Sequence, residues 1–226
     1  MDMKDFLKVT DLDRVLALCA RFAVVESESV PLAQAWGRVI AEPVAADVDL
    51  PDFPRATMDG YAVRGASTFG CSEANPAYLR VKGTVRMGDA PGFSIGAGEA
   101  ARIYTGGMLP AGADAVVMIE QTEALDETTI EVYRSAAPGQ HMVGAGEDFA
   151  RGSVPLLPGQ RIRPQEAGLL AAFGRDPVRV YRRPVVAVIS TGDEIVPVDG
   201  TPGPGRIRDI NTHTLAGLVR EAGGEP

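Results

Sequence analysis

PDFPRATMDGYAV, residues 51–63, reads as a stiffened turn running into a strand. Pro51 and Pro54 each fix their own φ, and each disfavours helix in the residue before it. Asp59-Gly60 is a turn signal, and Tyr61-Ala62-Val63 opens an apolar extended run. Two readings of Asp59 stand side by side. Asp-Gly is a leading hairpin dipeptide, and on that reading the carboxylate only shapes a turn. A carboxylate on a rigid turn is also aimed, which makes Asp59 a candidate for chemistry.

Downstream of this motif the pattern stays β over about 76–135. AYLRVKGTV (77–85), AARIYTG (100–106), DAVVMIEQTEAL (114–125) and TTIEVYRSA (128–136) are rich in β-branched residues and are parted by Gly, Pro or Asp turns. PLLPGQRI (155–162) continues that style. Upstream, residues 11–21 predict an amphipathic helix with Thr10 as its cap and Leu12, Val15, Leu16 and Cys19 on one face. A shorter helix is expected from Pro31 to Gly37, followed by an extended RVIAEPVAADV (38–48). PQEAGLLAAF (164–173) predicts a helix stopped by Gly174. With 26 glycines and 17 prolines spread along the chain, many turns and short strands are expected rather than disorder.

The pattern changes near residue 184. PVVAVIS (184–190) is a continuous apolar run, suited to a strand buried on both faces of a parallel sheet. A TGDE loop follows, then a helix over about 212–222 capped by Asn211 or Thr212, with Leu215, Leu218, Val219 and Ala222 on one face. This reads as the start of a βαβ unit cut inside its domain.

Composition bounds the function. The 226 residues are 45% hydrophobic and carry a net charge of −8, which argues against a nucleic-acid partner but leaves room for a small anion held locally. Cys19 and Cys71 are isolated, and His141 and His213 lack ligand spacing, so neither a disulfide framework nor a zinc site is indicated. MDMKDFLK lacks the apolar core of a secretory signal, and no apolar run reaches membrane-spanning length, so a cytoplasmic protein with no membrane partner is expected.

Four segments place polar groups on tight turns. Asp59 lies on the first. In YTGGMLPAGADAVV, Thr105 precedes Gly106 and Gly107, whose backbone can approach an anion closely; a plain glycine loop is the alternative. In GAGEDFARG, Glu147 and Asp148 sit among glycines, as a site or as an exposed acidic turn. STGDE follows the apolar run 184–190 at the end where open parallel sheets bind ligands. There Ser190 and Thr191 offer hydroxyls, Gly192 a close backbone, and Asp193 and Glu194 carboxylates, fit for a phosphate or a hard cation. An ordinary loop is the competing reading.

Taken in order, PLAQAWGRVIAEPV, FPRATMDGYAV, ARIYTGGMLPAGADAVVMIEQ, GEDF, PLLPGQRI, VAVISTGDEIV and PGRIRDIN resemble the molybdopterin molybdotransferase family (MoeA and the gephyrin E domain) over nearly all of the chain after residue 30. The resemblance implies insertion of molybdate into adenylated molybdopterin with release of AMP, accompanied by a divalent cation, usually Mg²⁺. It assigns Asp59, Thr105, Asp148 and Glu194 to catalytic positions and leaves the metal ligands unassigned. Gly106, Gly107, Ser190, Thr191, Gly192 and Asp193 fall to substrate binding.

The fold class it implies is a mixed α/β multidomain chain. β-rich N-terminal (1–50 with 145–178) and inserted (51–144) domains are followed by the truncated start, 179–226, of a three-layer α/β molybdopterin-binding domain. It further implies an elongated homodimer in which Asp59 and Glu194 meet across subunits, with molybdopterin adenylyltransferase and molybdoenzyme maturation proteins as partners. The groups expected beyond Pro226 imply that these 226 residues alone are inactive. The competing class is a non-catalytic dimeric scaffold of the same architecture; a generic nucleotide-binding α/β protein rests only on 184–222.

Overall fold

The computed structural model describes residues 10–226. In chain order its strands are β1 (Ser27–Val30), β2 (Arg55–Ala56), β3 (Gly60–Val63), β4 (Ala77–Thr84), β5 (Glu99–Ile103), β6 (Ala115–Met118), β7 (Thr122–Ala124), β8 (Thr129–Val132), β9 (Met142–Val143), β10 (Val178–Tyr181), β11 (Ile195–Val196) and β12 (Ile207–Arg208). The α-helices are α1 (Leu12–Leu16), α2 (Pro164–Ala172) and α3 (Asn211–Glu221). The chain is β-rich, and it forms two compact units: Val44–Pro155, and the residues up to Pro43 together with Leu156–Pro226.

The Val44–Pro155 unit is built on a six-stranded sheet in the order β6-β3-β5-β4-β8-β7. Every pair in it is antiparallel except β4 with β5. The sheet buries residues on both faces. Ala62 of β3 joins Ala56, Val85, Ile95, Ala101, Ile103, Leu109 and Val116. Its neighbour Val63 joins Leu79, Ala100, Ala115, Val117, Ile130, Val132 and Ala136. Alternation along a strand sends successive side chains to opposite faces, so small residues such as Ala62 and Ala101 let both cores close over one sheet. β2 pairs with β9 outside it.

Asp59-Gly60 is not a hairpin turn. The strands on its two sides take different partners: β2 pairs with β9, whereas β3 runs between β5 and β6. Gly60 is demanded by close approach instead, because a Cβ there would lie 1.9 Å from the carbonyl oxygen of Val117.

In the other unit β1 pairs antiparallel with β10, and Val30, Ala35, Ile40, Ile162, Leu170, Val178 and Val180 are buried. The helix expected over 11–21 is α1 followed by a 3-10 turn, Ala17–Arg21. Its cap is Asp11 rather than Thr10: the Asp11 carboxylate accepts from the Asp13 N–H at 3.3 Å. None of its residues is buried. The short helix after Pro31 is a 3-10 turn, Leu32–Gln34, and the chain reverses at Gly37, whose φ of +75° suits glycine.

The expected strand over 184–190 is corrected. Val185 forms a single parallel bridge, to Glu225, and both Val185 and Ile189 are 80% exposed. An apolar run becomes a ladder strand only where neighbours supply backbone partners, and among the described residues Glu225 is the one that bridges to it. α3 matches the expected helix, but its cap differs. Asp209, not Asn211 or Thr212, closes its first turn by accepting from the Thr212 N–H (3.0 Å) and hydroxyl (2.6 Å).

Candidate functional site

Three stretches far apart in sequence are tied together at β2. The N–H of Ala56 donates to the Gly107 carbonyl (2.9 Å), and the Gly106 N–H donates back to the Ala56 carbonyl (2.7 Å). Arg55 and Ala56 pair with Val143 and Met142 on their other side. The segment leaving β2 is pinned as well: Thr57 N–H donates to the His141 carbonyl, and Ile119 N–H to the Asp59 carbonyl, each at 3.0 Å. His141 adopts a positive φ of 55°, unusual for a residue with a side chain.

Asp59 therefore stands on a fixed backbone, and its side chain is fixed too. Oδ1 accepts from both the backbone N–H and the hydroxyl of Thr105, each at 2.7 Å. Oδ2 has no hydrogen-bond partner among the described residues. The Thr105 N–H first, then its hydroxyl, hold the Asp59 carboxyl below its ordinary value near 3.8; partial desolvation opposes them and the positive charge of Arg102 assists. The group is ionised at neutral pH.

The glycines of the TGG segment do not present free N–H groups to an anion, as the close-backbone reading expects. Both N–H groups are engaged, Gly106 with Ala56 and Gly107 with the Tyr104 carbonyl (2.8 Å). Gly106 is needed for its φ of +87°, and a Cβ on Gly107 would lie 2.9 Å from Ile103 Cγ1. What they provide is the shape that delivers Thr105 to Asp59.

Asp148 reaches the same strand by another route. Its N–H donates to the Leu50 carbonyl at 3.0 Å, and its carboxylate lies 3.8 Å from the Arg55 guanidinium. Glu147 turns away to accept from the Gly144 N–H at 2.7 Å. Asp59, Thr105, Gly106 and Gly107 are thus brought together, and Asp148 is linked to them through Arg55.

Ser190, Thr191, Gly192, Asp193 and Glu194 belong to the other unit. The Ser190 hydroxyl donates to Asp209 at 3.0 Å, so it supports the α3 cap. The Glu194 carboxylate folds back over Gly192, where a Cβ would meet it at 2.6 Å. The backbone there continues into the short parallel pair β11–β12. Thr191 and Asp193 are exposed.

Arg102 escaped the sequence reading. Its guanidinium carbon lies 5.1 Å from the Tyr61 ring centroid and 5.3 Å from that of Tyr104. The signal was present in the alternation of β5: Tyr104 lies two residues on, and Tyr61 is the cross-strand partner of Arg102. Asp209 was likewise readable as a carboxylate just ahead of an apolar helical pattern.

A family model for the MoeA N-terminal region (domain I and II) matches residues 10–174. The chain belongs to that family. The chain is 39% identical over 204 residues to the molybdopterin molybdenumtransferase of Bacillus subtilis, covering 89% of this chain and 47% of the relative. It is 40% identical over 196 residues to molybdopterin molybdenumtransferase 2 of Mycobacterium tuberculosis, covering 86% and 48%. The crystal structure of a molybdopterin biosynthesis MoeA protein from Pyrococcus horikoshii superposes with a TM-score of 0.77 at 43% identity, covering 96% of this chain and 56% of that one. This MoeA N-terminal region thus spans about half the length of the curated relatives it matches. Among its described residues no helix is long and apolar enough to cross a membrane. No group of three His, Cys, Asp or Glu residues among them can hold a metal ion, so a complete protein ligand set for Mg²⁺ is not found here.

Proposed function

We propose that this chain is the N-terminal part of a molybdopterin molybdenumtransferase, acting in molybdenum cofactor biosynthesis by inserting molybdate into adenylated molybdopterin with release of AMP. The observation that carries the reading is the Asp59–Thr105 pair, set inside a matched MoeA N-terminal region. Thr105 saturates Oδ1 and keeps the carboxylate charged. Oδ2 is then the atom able to accept a proton from an attacking oxygen and orient it toward the adenylate phosphate. Asp148, steadied by Arg55, adds a second carboxylate to this region.

Membership of the family supports two further assignments. Residues 179–226 are read as the start of the α/β domain that carries Glu194, and the working protein as a homodimer. An unpartnered apolar segment agrees with such pairing: Leu12, Leu16, Phe22 and Val24 are all exposed.

The test supplies adenylated molybdopterin, molybdate and Mg²⁺ and follows AMP by chromatography. The 226-residue chain alone is expected to release none, whereas a fusion to the C-terminal half of the Bacillus subtilis relative releases it. Asp59→Asn in that fusion should abolish turnover while leaving the fold intact. Unchanged AMP release by the Asp59→Asn fusion refutes the proposal and favours a scaffold.

A further inference from the structure

The cation between Tyr61 and Tyr104 is not explained by the fold. Arg80, Arg163, Arg182, Arg38 and Arg55 each meet a carboxylate, as expected in a chain with 30 acidic residues. The Arg102 backbone carbonyl accepts from the Val85 N–H at 2.8 Å, but its guanidinium makes no hydrogen bond and no ion pair among the described residues, and Nη1 is buried without an acceptor. A buried, unpartnered donor costs its desolvation outright, and each such atom in a native structure calls for an explanation. Asp59 does not supply one. That carboxylate feels the field of Arg102, but no hydrogen bond or ion pair forms between the two side chains, and the Asp59 Oδ1 is taken by two donors of Thr105.

The surroundings suit a guanidinium held ready for a ligand. Two tyrosine faces stabilise the plane by cation–π attraction without consuming any of its five N–H donors. A planar fork of this kind matches two oxygens of a tetrahedral oxyanion, which an ammonium group cannot do. Tyr61 is fixed on β3 and Tyr104 directly precedes Thr105, so the stack is built on the same two stretches as the Asp59–Thr105 pair.

We propose that Arg102, held by Tyr61 and Tyr104, is an oxyanion-binding residue that positions a phosphoryl or molybdate group beside Asp59. The assignment rests on the Asp59–Thr105 site being functional, but it makes a claim of its own. Binding needs no turnover, no second substrate and no partner domain. Asp59 opposes the bound anion through its like charge, so the two residues must act on affinity in opposite directions.

The experiment is calorimetric titration of the full 226-residue chain with inorganic phosphate and, separately, with molybdate at low ionic strength, in wild type, Arg102→Gln, Arg102→Lys and Asp59→Asn. Arg102→Gln should weaken binding tenfold or more, the scale of one charge-assisted contact. Arg102→Lys should recover only part of that loss, and Asp59→Asn should tighten binding a few-fold. Tighter binding of phosphate assigns the site to a phosphoryl group, and tighter binding of molybdate assigns it to the metal oxyanion.

Equal affinity in wild type and Arg102→Gln, or no saturable binding by wild type, overturns the proposal. A retained Thr105 amide shift in NMR spectra of Arg102→Gln shows that weakened binding is not misfolding. Turnover lost in the Asp59→Asn fusion alongside Arg102-independent oxyanion binding removes this inference and leaves the proposed function standing. The reverse pattern does the opposite.

Discussion

Replacing Gly60 by alanine probes the frame that holds the candidate site without touching a reacting group. The added Cβ would lie 1.9 Å from the Val117 carbonyl oxygen, 2.9 Å from its carbon and 3.0 Å from the Ile119 nitrogen. Carbon–oxygen contacts settle near 3.3 Å, so β3 and β6 must part by roughly 1.4 Å. All three obstructing atoms are backbone, and no side chain can rotate away. Overpacking a closed core costs about 1–3 kcal/mol. The forced separation also stretches backbone hydrogen bonds of the β3–β6 ladder and, just beyond it, the Ile119 N–H to Asp59 bond, at about 1 kcal/mol each. With two such bonds weakened, the expected destabilisation is about 4 kcal/mol. At about 2–4 °C per kcal/mol that is a fall of roughly 8–16 °C in Tm, read by circular dichroism or calorimetry. Gly92→Ala is the control: nothing lies within 4 Å of its Cβ position and its φ is not in the positive range, so a change within about 0.5 kcal/mol is expected. A Gly60→Ala protein melting within about 2 °C of wild type would refute the close-approach account of Gly60.

Two further outcomes follow from features of each unit. Thr105→Val removes the hydroxyl donor but keeps the backbone one, so the Asp59 carboxyl, followed by NMR titration, should rise toward its ordinary 3.8 without reaching it. Because the folded value lies below the unfolded one, Asp59 contributes stability above pH 3.8 that fades as the pH drops through the folded value. In Thr105→Val that contribution should be smaller and its acid-side loss complete at a higher pH, and an unmoved titration would show that the hydroxyl bond does not form. In α2, Gly168 is exposed and has open space at its Cβ position. Gly168→Ala should therefore stabilise by about 0.5–1 kcal/mol, read as a raised denaturation midpoint.

The strands of the central sheet were legible because β-branched runs and their Gly, Pro or Asp separators are local signals. Asp59 and Thr105 were each visible as candidates, but their meeting was not: they lie 46 residues apart and are joined by strand pairing. The same limit hid the reason for Gly60, which depends on a carbonyl of β6 rather than on its neighbours. The helix ends were misread at Thr10 and at Asn211 or Thr212, because an aspartate beside each competed for the first-turn N–H groups and won. Residues 184–190 carry a buried-strand pattern, and pattern alone cannot say whether partners are within reach. Arg102 was passed over because one cation in a strand is ordinary until the two aromatic rings across and along the sheet are known.

The two-residue strand β2 has a consequence for how the site comes into being. Gly106–Gly107 on one side and Met142–Val143 on the other close on Arg55 and Ala56 from distant parts of the chain, so no local peptide holds the carboxylate in place. Ordering Asp59 costs the closure entropy of long loops, which nonlocal pairing repays only once the sheet is nearly complete. The carboxylate's placement therefore depends on contacts made across the whole unit rather than within one segment. A one-residue slip at either anchor would flip side chains to the opposite face and part Asp59 from Thr105.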